Sequence, residues 1–88
     1  MISNKYRKNI IVLYGADWCP DCRRSKNYLE ENGIDFEYVN IEEDENAVKI
    51  VEEINGGLRS IPTIIFTDGT VLTEPNNQEI ADQLGIVK

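Results

Sequence analysis

Hydrophobic residues in this chain fall in short blocks whose spacing changes from one block to the next. Residues 9–14 carry the continuous apolar run Ile10-Ile11-Val12-Leu13-Tyr14. A run of that length fits a central strand covered on both faces. Over residues 20–32 the spacing turns helical. Cys22, Ser25, Leu29 and Asn32 share one face, while Arg23, Arg24, Lys26, Glu30 and Glu31 can face water. Asn32-Gly33 predicts the stop, with Gly33 suited to a left-handed cap. Residues 34–41 alternate as a second strand, with Phe36 and Tyr38 on one face. Residues 42–44 open a second helix, capped by Asp44 and striped by Ala47, Val48, Ile50, Val51 and Ile54. Asn55-Gly56-Gly57 ends it. Ile61-Pro62 precedes a strand at residues 63–67, and Asp68-Gly69 predicts a hairpin returning through residues 70–73. Asn76 with Glu79 three residues on has the form of a capping box. In the last helix that follows, Ile80, Leu84 and Val87 share a face.

The order is β-α-β-α-β-β-α, an α/β arrangement. Strand, helix and strand joined by short links imply a right-handed crossover and a parallel pair. The layout expected is thioredoxin-like: a four-stranded mixed sheet with three helices on its two faces. Residues 1–8 read as a polar, basic lead-in, and residues 1–88 as one small domain. No repeat, linker or low-complexity tract interrupts it.

Both cysteines lie within Trp18-Cys19-Pro20-Asp21-Cys22, between the first strand and the first helix. A Cys-x-x-Cys at such a junction reads as a thiol–disulfide redox site. The first N–H groups of a helix have no internal partners, and the positive end of its dipole is exposed there. A thiolate placed at that end is stabilised, so a cysteine pKa near 8.5 can fall to roughly 3.5–7.5. Pro20 suits the first helical position, where a missing N–H costs nothing. Cys19 is then expected to be the exposed nucleophile and Cys22, one turn in, the shielded resolving thiol. Asp21 works against a Cys19 thiolate, with Arg23 and Arg24 partly offsetting it. Trp18 is a candidate platform for substrate. Arg59, just before Ser60-Ile61-Pro62, is a candidate contact for an anion or carboxylate, and Thr63 and Asn77 are candidate ligand contacts.

Charge narrows the partners. The net charge is −7, which argues against nucleic acid. It is unevenly spread: residues 1–26 hold six basic and two acidic residues, residues 27–88 three basic and fourteen acidic. A redox end less negative than the rest would help anionic thiols approach. Lys5, Arg7 and Lys8 precede a run too short for a secretory signal, and nothing approaches the ~18 apolar residues of a membrane span. The reading is a cytoplasmic monomer with no membrane partner. Two cysteines and no histidine make a poor metal site, so no metal is expected.

The stretches Gly15-Ala16-Asp17-Trp18-Cys19-Pro20-Asp21-Cys22, Val39-Asn40-Ile41, Gly56-Gly57 and Ile61-Pro62-Thr63-Ile64-Ile65-Phe66 together resemble the glutaredoxins. The Asn-Gly-Gly-x-Arg-x-Ile-Pro-Thr stretch is most similar to the mycoredoxin branch. The resemblance implies a thioredoxin-like fold, with Cys19 and Cys22 as the catalytic pair. It also implies a cis Ile61-Pro62 bond, with the Ile61 backbone offered to a bound thiol. Co-substrates would be low-molecular-weight thiols such as glutathione or mycothiol, and partners would be disulfide-bearing proteins. Many glutaredoxins carry a Gly-Gly-x-Asp-like segment that holds a glutathione carboxylate. Here Thr73-Glu74-Pro75-Asn76-Asn77 stands in its place, so another small thiol fits at least as well. Two other uses stay open: electron delivery to ribonucleotide reductase after recharging by a flavin-dependent reductase, and iron–sulfur carriage by two chains with two small thiols.

Overall fold

The computed structural model describes residues 10–86. The lead-in over residues 1–8, the expected strand start at residue 9, and Val87 lie outside the described residues. The first apolar run forms β1 (Ile11–Gly15), buried throughout. β2 (Phe36–Asn40) pairs parallel along one edge of β1, and β3 (Thr63–Ile65) antiparallel along the other. β4 (Val71–Thr73) completes a hairpin with β3, giving the sheet order β2-β1-β3-β4.

Strand side chains alternate between faces, and β1 divides accordingly. Ile11 and Leu13 join Tyr28 and Leu29 of α1 (Pro20–Glu31) and Ile80 and Ala81 of α3 (Asn77–Leu84) in one core. Val12 and Tyr14 join Ile41 and, from α2 (Glu45–Ile54), Ala47 and Val51 in the other. β3 splits the same way, Ile64 into the first core and Ile65 into the second. Helices therefore cover both faces of a four-stranded mixed sheet, as the element order implies.

Local chemistry fixes most boundaries. Gly33 has φ +68°, which lets Gly33 N–H reach Glu30 O at 3.1 Å and Ile34 N–H reach Leu29 O at 3.0 Å. Asp44 Oδ1 accepts from the N–H groups of Asn46 and Ala47 at 2.9 and 3.3 Å. Asn76 and Glu79 exchange both bonds of a capping box, at 2.8 and 2.9 Å. Asp68 accepts the Thr70 N–H at 2.9 Å in the hairpin turn, and that bond holds its carboxyl below the usual range.

Three expectations are corrected. The second strand begins at Phe36 and stops at Asn40, because Ile41–Glu43 wind into a 3-10 turn. Asn40 Oδ1 accepts the Glu42 N–H at 3.0 Å and starts that turn. Asn32 is exposed rather than on the buried face; as the helix cap it donates Nδ2–H to Tyr28 O at 2.8 Å. The strand expected over residues 63–67 is three residues long, since the chain turns from Phe66 onward.

Candidate active site

β1 and β2 run parallel and end on the same rung, Gly15 opposite Asn40. The loop after β1 and the 3-10 turn after β2 therefore leave the sheet side by side. Cys19 stands where the first of these loops becomes α1. It is the N-cap, with extended backbone (φ −83°, ψ 114°), and Pro20 follows at the first helical position. Cys19 N–H donates to Ala16 O at 3.1 Å, and Cys19 O accepts from Arg23 N–H at 3.1 Å. Its Sγ accepts the Cys22 N–H at 3.2 Å. The sulfur occupies the place a serine or aspartate oxygen takes in ordinary caps, at the positive end of the helix.

Cys19 is recessed, with 6% of its surface exposed, which corrects the expectation of an exposed nucleophile. The cap geometry turns its side chain back over the helix start, and Ala16, Cys22 and Ile61 pack around it. Trp18 is the residue that stands out, 63% exposed. Cys22 is shielded, 1% exposed. Its thiol is pushed up to about 12, chiefly by burial and then by its hydrogen bond with Cys19; a bond from the Ala16 backbone acts the other way. Both cysteines are free thiols.

Gly15 makes this packing possible. A Cβ there would lie 2.9 Å from Cys22 Sγ and 3.0 Å from Cys22 Cβ. The sequence pattern assigns Gly15 to a loop, whereas it closes β1; a glycine ending a strand directly before the cysteine motif is the local signal of such a close approach.

The Ile61-Pro62 bond is cis. Pro62 is buried, and its C=O accepts the Glu74 N–H at 2.7 Å, tying this segment to the end of β4. Ile61 packs on the cysteine cluster and, with Ala16, Trp18, Ile41, Glu42 and Arg59, lines a groove of about 250 Å³. A wider groove of about 670 Å³ shares Ile41, Glu42 and Arg59 and runs on along α2 past Glu45, Val48, Lys49 and Glu52. Trp18 Nε1–H donates to Glu42 Oε2 at 2.7 Å. The structure thus brings Trp18, Arg59 and Ile61 to one groove beside the cysteines.

Other candidates are engaged elsewhere. Asn77 Oδ1 accepts from Arg24 Nη1 at 2.6 Å, and Arg24 Nη2 donates to Pro75 O at 2.9 Å. Arg24 thereby ties α1 to the start of α3, and Asp21 stands 3.8 Å from the same guanidinium. Thr63 is fully buried, donating to Ser60 O at 2.7 Å and accepting from Asn55 Nδ2 at 3.1 Å. On the far flank of Cys22 lies a second hollow of about 310 Å³, lined by Asp17, Arg23, Lys26 and Tyr38. Tyr38 OH donates to Asp17 Oδ1 at 2.8 Å, and burial followed by that bond raises its hydroxyl above the ordinary range. Among the described residues no group of three or more His, Cys, Asp or Glu could hold a metal ion. No helix among them is long and apolar enough to cross a membrane.

A dithiol at a helix N-terminus, next to a cis proline entering an antiparallel strand, on a β2-β1-β3-β4 sheet with helices on both faces, defines a thioredoxin-like domain. Comparison with known proteins narrows the class. Residues 11–72 match the Glutaredoxin family, and the chain belongs to it. It is 38% identical over 74 residues to a Mycobacterium tuberculosis protein assigned as a glutaredoxin, covering 84% of this chain and 88% of that one. It is 34% identical over 70 residues to mycoredoxin 1 of Corynebacterium glutamicum, covering 80% of this chain and 86% of the relative. The crystal structure of a glutaredoxin from Archaeoglobus fulgidus superposes with a TM-score of 0.71 at 25% identity, covering 94% and 96% of the two chains.

Proposed function

We propose that the chain is a cytoplasmic thiol–disulfide oxidoreductase in which Cys19 attacks mixed disulfides of proteins or small thiols. The observation that carries this reading is the Cys19 sulfur capping α1, with the Cys22 N–H 3.2 Å away and Ile61 packed against it. Charge on that sulfur meets an N–H donor and the positive helix end. The Cys19 thiolate attacks one sulfur of the substrate, a new S–S bond forms, and the other half leaves as a thiolate that takes up a proton. The half retained on Cys19 lies in the 250 Å³ groove between Trp18, Arg59 and Ile61. The recess around Cys19 favours a disulfide presented end-on from an extended segment, as an added strand would present it.

Release can follow two routes. A small thiol can attack the mixed disulfide and free Cys19, or Cys22 can attack it and leave an intramolecular disulfide. The state of Cys22 favours the first. In the free dithiol its thiol is held up first by burial and next by its hydrogen bond with Cys19. A thiol that high is almost entirely protonated at neutral pH, which slows its attack. Similarity to mycoredoxin 1 supports a small-thiol co-substrate.

The test is a reductase-coupled assay offering mixed disulfides of glutathione, mycothiol and bacillithiol in turn. Cys19→Ser is expected to abolish turnover with each. Cys22→Ser is expected to keep de-thiolation of mixed disulfides while losing the intramolecular disulfide. Turnover by the Cys19→Ser protein would end the scheme.

A further inference from the structure

We propose that Glu42 is a positioning residue for the redox groove. Its carboxylate holds the Trp18 indole as the groove's outer wall and so sets how tightly the non-reacting half of a disulfide substrate is bound. The inference rests on the reading that this groove receives that half.

Trp18 is 63% exposed, so packing does not fix its ring. An exposed side chain left to itself samples its rotamers. Here the indole N–H is bonded to Glu42 Oε2 at 2.7 Å, across 24 residues of sequence. Glu42 is itself held. Its N–H is bonded to Asn40 Oδ1 at 3.0 Å, and its neighbour Ile41 is buried in the core beneath α2. Asn40 is the last rung of β2 and faces Gly15, the last rung of β1.

The bridge therefore spans the two loops that leave the C-terminal ends of the parallel strands. Crevices at such ends are where open α/β sheets take ligands. Both partners line the 250 Å³ groove with Arg59 and Ile61. Bonding the ring by its edge leaves a face free for contact, and an aromatic face fixed in advance costs a ligand less ordering on binding.

Trp18 is the chain's one tryptophan, so indole fluorescence reports this side chain alone. The experiment uses the full chain, an acetylated and amidated Gly-Cys-Gly peptide disulfide as substrate, and dithiothreitol as reductant. Glu42→Ala is expected to lower Trp18 fluorescence anisotropy and to raise KM about three- to tenfold, as loss of one such bond implies. Its kcat should stay within about twofold, because the reacting sulfur is untouched. Glu42→Gln, whose amide oxygen accepts the same N–H, should restore both anisotropy and KM. In a Trp18→Phe background Glu42→Ala should add nothing, since the donor is gone. Wild-type anisotropy and KM in Glu42→Ala overturn the proposal, as does an undiminished KM effect in the Trp18→Phe background. If the wild-type protein does not turn the peptide over, the oxidoreductase reading itself fails, while the anisotropy arms still decide whether the bridge holds the ring.

Discussion

Cys19 and Cys22 are one helical turn apart, yet their sulfurs have different surroundings. Cys19 accepts an N–H at the helix end; Cys22 faces Gly15 and the underside of the loop. The raised Cys22 thiol makes a stability prediction. A thiol whose native pKa is near 12, against 9.0 in an ordinary setting, binds its proton more tightly in the folded chain than in the unfolded one. The resulting stability is fully present below about pH 9 and is lost as pH rises toward 12. Urea unfolding of the reduced protein is expected to show about 1 kcal/mol less stability at pH 10 than at pH 8. Cys22→Ser should flatten that part of the slope. The raised Tyr38 hydroxyl acts in the same sense from about one pH unit higher, so it adds a smaller loss near pH 10, and the difference between wild type and Cys22→Ser gives the thiol's share. An unchanged slope in Cys22→Ser would mean that another group carries the proton.

Among elements, the end of β1 and the start of α1 meet closely at Gly15. The missing side chain at Gly15 lets Cys22 sit against the strand, and so draws the helix N-terminus and the Cys19 cap to the C-terminal end of β1. Gly15→Ala puts a methyl group 2.9 Å from Cys22 Sγ, and the helix start must move to admit it. Overpacking of this kind costs about 1–3 kcal/mol. The expected result is a lower urea midpoint and slower formation of the intramolecular disulfide, read by thiol titration after mild oxidation; wild-type values for both would show that the junction is slack. The same scale separates what the sequence made legible from what it did not. The Asp44 cap, the Asn76–Glu79 box and the Gly33 stop were readable because each is settled within a few residues. The cysteine pair at a helix start was readable for the same reason. The recess of Cys19, the Arg24 tie to Asn77 and Pro75, and the Trp18–Glu42 bridge were not. Each depends on segments brought together by the sheet, and no local pattern marks it. The 3-10 turn at residues 41–43 is an intermediate case. Asn40 two residues before Glu42 is a local turn signal, but the apolar Ile41 read equally well as strand.

At the scale of the molecule, β1 is the element on which both cores depend. Ile11 and Leu13 face the core under α1 and α3, while Val12 and Tyr14 face the core under α2. Its two edges carry β2 and β3, so every other part of the sheet is attached through it. A fold joined in this way has no half that can persist alone, and unfolding should be a single transition. A chain of this length has a stability of about 4–13 kcal/mol, taking the usual range per residue. Leu13 is fully buried, and Leu13→Ala is expected to cost about 2–5 kcal/mol, a large share of that total. Leu58, 65% exposed, supplies the control: Leu58→Ala should stay within about 0.5 kcal/mol of wild type. Far-UV circular dichroism reports the helices on both faces, and Trp18 fluorescence reports the redox end. In Leu13→Ala the two signals should lose their folded values together, at a lower urea concentration than in wild type. Separate midpoints would mean that the face under α2 survives loss of the other, and that the redox end is held by less than the whole sheet.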